Sequence, residues 1–255
     1  MVKKILSILL WVVTAAGLIV LFIFARESYL DTPLKSINLI RVADTGFVRK
    51  NTLHDELEQI CGKSRNIGTV NMIAIQKHLD KNPWIECNAS YIDLDGNLNV
   101  SFEEYEPQFR IFGNDGRSVY ITSEGMVLPA SYNYIPYVLV ASGNFNLPND
   151  SLTYQLNDSL AEHHNLINAL HWFKAIDGNN FIRSSVGQLY CNNKNEFELT
   201  VKGIDARVIV GDTCLAADKM KRLEIFMKKM HDSHEISTMK SINLNYKNQI
   251  VCIKR

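Results

Sequence analysis

The chain of 255 residues carries 27 basic and 27 acidic side chains, a formal net charge of zero, with 46% apolar and 21% charged content. That length suits one large or two modest domains, and the composition excludes disorder for the bulk of the chain. Balanced charge creates no overall field toward nucleic acid, so no nucleic-acid partner is expected.

Ile5 to Phe24 is an uncharged, almost wholly apolar run of the length that spans a bilayer core as a helix. Lys3, Lys4 and the amino terminus precede it, whereas Arg26 is balanced by Glu27 after it. The positive-inside rule then puts residues 1–4 in the cytoplasm and everything after Arg26 outside it. A cleaved signal peptide normally has an apolar region of only about 7–15 residues before a small-x-small site. Here Ile23 and Phe24 spoil that pattern, so residues 5–24 read as an uncleaved anchor in the lipid bilayer. Residues 25–33 follow as a linker.

From Leu34 to Val42 the pattern alternates as in a strand, with Leu34, Ser36 and Asn38 on one side and Ile37 and Leu39 on the other. Val48 to Ile60 has helical spacing at Leu53, Leu57 and Ile60, with Cys61-Gly62 as its stop. Asn66 to Asn71 is a loop. Met72, Ile75 and Leu79 mark a second helix that must end before Pro83, because Asn82 is steered away from helical angles. Two alternating strands then meet at Asp95-Gly96, where glycine accepts a positive φ. Cys87, Ala89 and Tyr91 share one face of the first strand; Leu98, Val100 and Phe102 share one face of the second. Glu106-Pro107 closes this segment.

Beyond it the chain is mostly β in pattern. Phe109 to Phe112, Ser118 to Thr122, a segment through Met126-Val127-Leu128, and Tyr137 to Ala141 read as strands. Leu160 to Ile176 reads as a helix with Leu166, Leu170, Phe173 and Ile176 on one face. Three strands follow, Val186 to Cys191, Phe197 to Val201 and Ala206 to Val210, then a Lys- and Met-rich helix from Ala216 to Met230. The chain ends in Ile242 to Tyr246, a turn at Lys247 to Gln249, and Ile250 to Lys254.

Motifs for catalysis, cofactors or metals do not emerge. Gly62-Lys63-Ser64 lacks the phosphate-loop glycine five residues earlier, where Leu57 stands, and follows a helix instead of opening one. Asp93 to Glu104 places its glycine at the fourth position, not the sixth of a calcium loop. His231 and His234 lie in a polar stretch with no third ligand indicated, and His163, His164 and His171 belong to a helix and its entry. No Gly-x-Ser-x-Gly elbow occurs. The five cysteines, 61, 87, 191, 214 and 252, imply neither a zinc site nor a disulfide framework, and Cys87 and Cys252 read as small buried apolar residues. A single disulfide stays open for a domain outside the cytosol.

The segment order resembles the FtsQ/DivIB family of bacterial cell-division proteins. Strand, helix, loop, helix and hairpin over 34–107 is the β-α-α-β-β order of a POTRA domain, and Pro83-Trp84-Ile85 matches the family's Pro-Trp-Val/Ile. Asp95 to Val100 sits at its Pro-x-x-Leu-x-Val/Ile, without the proline. Phe109 to Phe112, then Ser118 to Thr122 with Ser123 to Pro129, resemble its strand pair around an Asp/Ser-x-x-Gly turn, and Val208 to Gly211 followed by Lys219 to Leu223 resembles its strand-Gly-loop ahead of a Lys-Leu-x-x-Leu helix. The final hairpin resembles its Asp-Leu-Arg-Tyr hairpin, with Asn243 and Asn245 replacing Asp and Arg.

The resemblance implies an α+β protein: a transmembrane helix, a POTRA domain over 34–107, and a mostly antiparallel β domain with flanking helices over 108–255. It implies a non-enzymatic divisome scaffold of the cytoplasmic membrane at the septum, binding FtsB- and FtsL-like partners outside the cytoplasm and other division proteins through the POTRA domain. The FtsB contact is carried onto Asn245, Tyr246, Asn248, Val251, Ile253 and Lys254. An apolar terminal strand is a template for a partner strand if it lies at a sheet edge, and no template if it is central and already paired. Proline at Val251 or Ile253, whichever N–H faces outward, is the expected test. One rival is a POTRA-bearing secretion or outer-membrane assembly component, which needs repeated POTRA units or a barrel region. Another is a membrane-anchored envelope hydrolase.

Overall fold

The computed structural model describes residues 2–43, 45–62, 66–131, 133–147, 153–156, 164–230 and 234–255, with side chains at all of these except 2–8 and 234. The chain divides into two compact units, Met1–Tyr105 and Glu106–Arg255. Lys63, Ser64, residues 157–163 and residues 231–233 from the motifs above lie outside the described residues.

The first unit begins with α1 (Val2–Leu30), whose Leu9–Leu30 stretch has a mean hydropathy of 2.3 and is long enough to cross a membrane. The helix therefore continues through residues 25–30 of the expected linker. Nothing between Arg26 and Leu30 breaks a helix, and the turn closes with Asp31 N–H on the Glu27 carbonyl just ahead of Pro33.

Strand β1 (Ser36–Arg41), α2 (Lys50–Cys61), a 3-10 turn (Ile67–Thr69), α3 (Met72–Asp80), β2 (Ile85–Ile92) and β3 (Asn97–Glu104) follow. Gly62 caps α2 with φ of 74° and its N–H on the Glu58 carbonyl. Asn71 caps α3, its side chain accepting from Ala74 N–H. The sheet order is β1-β3-β2, with β3 parallel to β1 and antiparallel to β2. Leu98, Val100, Phe102 and Glu104 of central β3 face the core by alternation, while Asn99, on the other face, is buried by its neighbours, accepting from Asn38 Nδ2 at 3.0 Å and donating to Asp93 Oδ2 at 3.1 Å.

The alternation expected for β2 fails halfway. A bulge between Cys87 and Ala89 adds Asn88 opposite a single step of β3, so the phase shifts by one residue. Ser90 and Ile92 turn inward, while Ala89 and Tyr91, expected to share the face of Cys87, are exposed. Trp84 is buried and stacks on Phe47 with ring centroids 3.9 Å apart. Nearby, Glu104 is fully enclosed: Thr45 Oγ1 and Phe47 N–H donate to its Oε2 at 2.7 and 3.0 Å, and Arg41 Nε lies 3.1 Å from its Oε1.

The second unit is a ten-stranded mixed sheet. Its strands are β4 (Pro107–Phe112), β5 (Ser118–Thr122), β6 (Met126–Pro129), β7 (Leu139–Gly143), β8 (Tyr154–Gln155), β9 (Val186–Cys191), β10 (Phe197–Val201), β11 (Ile204–Gly211), β12 (Met239–Asn243) and β13 (Val251–Lys254). They run in the order β13-β12-β11-β10-β9-β7-β4-β5-β6-β8, and only β4–β7, β7–β9 and β11–β12 are parallel. Two of the parallel steps carry the helices: α4 (His164–Asp177) and α5 (Asn180–Ser185) connect β7 to β9, and α6 (Ala216–Met230) connects β11 to β12.

Alternation gives β4, β10 and β11 an apolar inner face and a more polar outer one, whereas β5 buries Val119 through Thr122 in a row. Val186, Leu189 and Cys191 of β9 and Ile204, Ala206, Val208 and Val210 of β11 are buried in one core with Leu166, Trp172 and Phe173 of α4 and Met220 and Leu223 of α6. Phe109 stacks on Phe173 at 3.8 Å. The short α5 goes beyond the expected elements; Asn179 starts it, its side chain accepting from Ile182 N–H. Tyr137, expected to open a strand, precedes β7 and is exposed.

Candidate functional site: the β13 edge and its α6 clamp

Among the described residues β13 is an edge strand that pairs with β12 alone, and not the central, already paired strand that was the alternative. Val251 lies opposite Asn243, Cys252 opposite Ile242 and Ile253 opposite Ser241. Arg255 N–H points back to the Thr238 carbonyl at 2.9 Å. N–H directions alternate along a strand, so those of Ile253 and Val251 also point to β12, while those of Cys252 and Lys254 point away from the sheet. The expectation that Val251 or Ile253 offers the outward N–H is thereby corrected.

Side chains alternate in the other sense. Cys252 and Ile250 pack against the core, whereas Val251 and Ile253 lie on the opposite face, with Ile253 56% exposed. Lys254 is exposed, its ammonium 4.0 Å from Glu235. The edge thus presents two outward N–H groups between an apolar stripe on one face and a terminal cation.

The strand expected over Ile242–Tyr246 ends at Asn243, and the reason is Arg222. Leu244 N–H still reaches the Ile209 carbonyl of β11 at 2.9 Å, but the Arg222 guanidinium takes the carbonyls of Leu244 (3.2 Å), Tyr246 (2.9 Å) and Gln249 (3.0 Å), drawing the connection beyond Leu244 away from the sheet. Asp218 Oδ2 accepts from Arg222 Nε at 2.9 Å and fixes the fork. Asn248 sits at φ 59°, a left-handed conformation that asparagine tolerates better than most residues. Asn245, Tyr246 and Asn248 are consequently displayed together on this clamped connection, all exposed.

Lys219, one turn earlier on α6, is buried. Its ammonium donates to the Val210 and Asp212 carbonyls at 2.8 and 2.9 Å and to Asp212 Oδ1 at 2.9 Å, with Asn245 Oδ1 at 3.5 Å, and it stands 5.6 Å from the Trp172 ring. Gly211, at φ 67°, has no room for a Cβ because the Asn245 side chain occupies that space. Hydrogen bonding from Lys219 holds the Asp212 carboxyl below its ordinary range.

Sequence reading placed all six edge residues in one hairpin, and the structure brings them together at one end of the sheet. It missed Lys219 and Arg222 as organisers. One signal was present: Lys219 falls on the same helical stripe as Met220 and Leu223, a position where a cation needs buried acceptors.

None of the five cysteines takes part in a disulfide among the described residues. Cys87 and Cys252, expected to be buried, are only partly so. Burial pushes the thiols of Cys87 and Cys252 up, and that of Cys191 to about 11, away from the nucleophilic thiolate at neutral pH. His54, Asp55 and Glu58 on α2 hold their ligand atoms within 4.8 Å of one another, on a surface where a solvated helix face accounts for them.

A long apolar helix, an α+β body and a large mixed sheet with helices on its core face define the class. Residues 106–253 match the family model described as FtsQ/DivIB, C-terminal related, and the chain belongs to the FtsQ/DivIB family. That membership supports a role in cell division, and the family is one of non-catalytic division scaffolds. With one helix long and apolar enough to cross a membrane among the described residues, it suggests a single-pass membrane protein of the division site with division proteins as partners. No curated protein matches the chain.

Proposed function

We propose that this protein is a divisome scaffold that binds an FtsB-like partner by adding the partner's strand to β13. The open β13 edge supports this most directly: Cys252 and Lys254 carry N–H groups aimed away from β12. β-augmentation takes affinity from such main-chain groups and specificity from alternate side chains. Val251 and Ile253 supply the apolar stripe, Lys254 a charge, and Asn245, Tyr246 and Asn248 the rim beside the strand. In this reading α1 anchors the chain with residues 1–4 in the cytoplasm, residues 34–107 form a POTRA domain that meets other division proteins, and the second unit works outside the cytoplasm, linking early division proteins to septal peptidoglycan synthesis.

Titration calorimetry with an FtsB-like partner tests the edge. Lys254→Pro removes an outward N–H at the end of the chain and should abolish or strongly weaken binding while circular dichroism stays unchanged. Cys252→Pro should do the same. Val251→Pro removes a bond to β12 instead, and should loosen the edge itself. Unchanged affinity in folded Lys254→Pro and Cys252→Pro variants excludes strand addition here. In cells, a fluorescent fusion should gather at midcell.

A further inference from the structure

We infer that the first unit docks on the membrane surface through an apolar patch beside the end of α1, with the lipid headgroup region as its occupant. The inference rests on the anchor reading of α1 and adds a second membrane contact to it.

The end of α1 is held by the elements around it. Tyr29 Oη lies 3.4 and 3.3 Å from the Ile92 and Asp93 carbonyls, and Thr32 accepts from Ile67 N–H at 2.9 Å. Lys35 N–H donates to the Gly96 carbonyl at 2.8 Å, and Gly68 packs directly against Leu30. The last turn of the helix is therefore fastened to the tip of the β2–β3 hairpin and to the 67–69 turn, without a free spacer.

Depth follows from the charge pattern. No charged residue occurs between Lys4 and Arg26, so the hydrocarbon boundary falls near Ala25. Tyr29 then lies about 6 Å beyond it at 1.5 Å per residue, within the ~5–8 Å interfacial layer on each side of a bilayer core. Whatever Tyr29 touches is carried to headgroup level.

What it carries is apolar. Tyr29, Met72, Ile73, Lys77 and Tyr91 line one shallow groove. Ile73 is 69% exposed, Tyr91 52%, and Leu94 at the adjacent hairpin tip 88%. Single exposed apolar residues are ordinary, but Ile73 and Tyr91 line the same groove as Tyr29 of α1, and Leu94 follows Asp93, whose carbonyl Tyr29 Oη contacts. Tyr29 and Tyr91 are of the residue type enriched at the membrane interface, and Lys77 can extend its ammonium from an apolar stem to a phosphate. The bulge at Asn88 contributes, because it is what turns Tyr91 outward.

The test uses the full chain in vesicles of phosphatidylethanolamine and phosphatidylglycerol, with photoreactive benzoylphenylalanine placed singly at Leu94, Ile73, Ile19 or Tyr137, and intact mass as readout. Lipid adducts at Leu94 and Ile73 several-fold above those at Tyr137, an exposed site on the second unit, are expected. Adducts at Ile19 with Leu94 and Ile73 at the Tyr137 level would leave the anchor standing and overturn the docking. Absence of adducts at Ile19 would overturn the anchor and the docking together. A protein adduct in cells in place of lipid at Leu94 and Ile73 would reassign the patch to a protein partner.

Discussion

Arg222 Nη1 donates to the Tyr246 carbonyl at 2.9 Å, and the same guanidinium holds the carbonyls two residues before and three residues after it. One side chain on α6 thereby sets the path of the connection that displays Asn245, Tyr246 and Asn248 and leads into β13. Arg222→Ala should cost roughly 2 kcal/mol, the scale of hydrogen bonds to a charged group. It should weaken partner binding more than it weakens the rest of the sheet. Arg222→Lys offers a point charge in place of the fork and should recover only part of both. Denaturant melts paired with calorimetry separate the two effects.

Trp84 is buried against Phe47 in the first unit. Trp84→Ala should cost about 3–5 kcal/mol, a large fraction of a small domain's stability. The thermal midpoint of a 34–107 fragment should fall accordingly, and an unchanged midpoint would show that the stack contributes nothing.

Glu104 is enclosed with Arg41 3.1 Å away and two further donors on its other oxygen. Removing one partner leaves a buried charge uncompensated, so Glu104→Ala should destabilise by about 3–5 kcal/mol. Neighbouring Glu103 is exposed, and Glu103→Ala should be nearly neutral. Urea midpoints of the two variants check the contrast.

Asp212 has a depressed carboxyl pKa because Lys219 donates to it. A depressed carboxylate adds stability that is present above the unfolded value of about 3.9 and lost as pH falls through the folded one. The α6–β11 link should therefore weaken only in acid, below about pH 4. Asp212→Asn should flatten that part of the stability–pH curve measured by denaturant titration. The wild-type slope persisting in Asp212→Asn would assign it to other groups.

Periodicity made most of the elements legible. α6 was expected from Ala216 to Met230 and occurs there, because its apolar stripe is regular; β10 likewise, because Phe197, Leu199 and Val201 strictly alternate inward, and β9 is found within its expected bounds although a register shift puts Val186 and Leu189 three residues apart on the core face. Where a single residue breaks the period, the pattern misleads. Asn88 flips the outer half of β2, and nothing about an asparagine between Cys87 and Ala89 announces a bulge. β12 ends early because of a guanidinium distant in sequence, which local pattern cannot register. The six edge residues were found through a family hairpin, but the direction of their N–H groups depends on pairing register, and a one-residue change reverses it.

Amide hydrogen exchange along β13 tests strand addition most directly. In the unbound protein, Val251 and Ile253 should be protected by β12, and Cys252 and Lys254 should exchange freely. Addition of an FtsB-like partner should slow Cys252 and Lys254 markedly and leave Val251 and Ile253 nearly as they were. Saturation by the partner with Cys252 and Lys254 still exchanging at their free rates would contradict it and place the interface elsewhere.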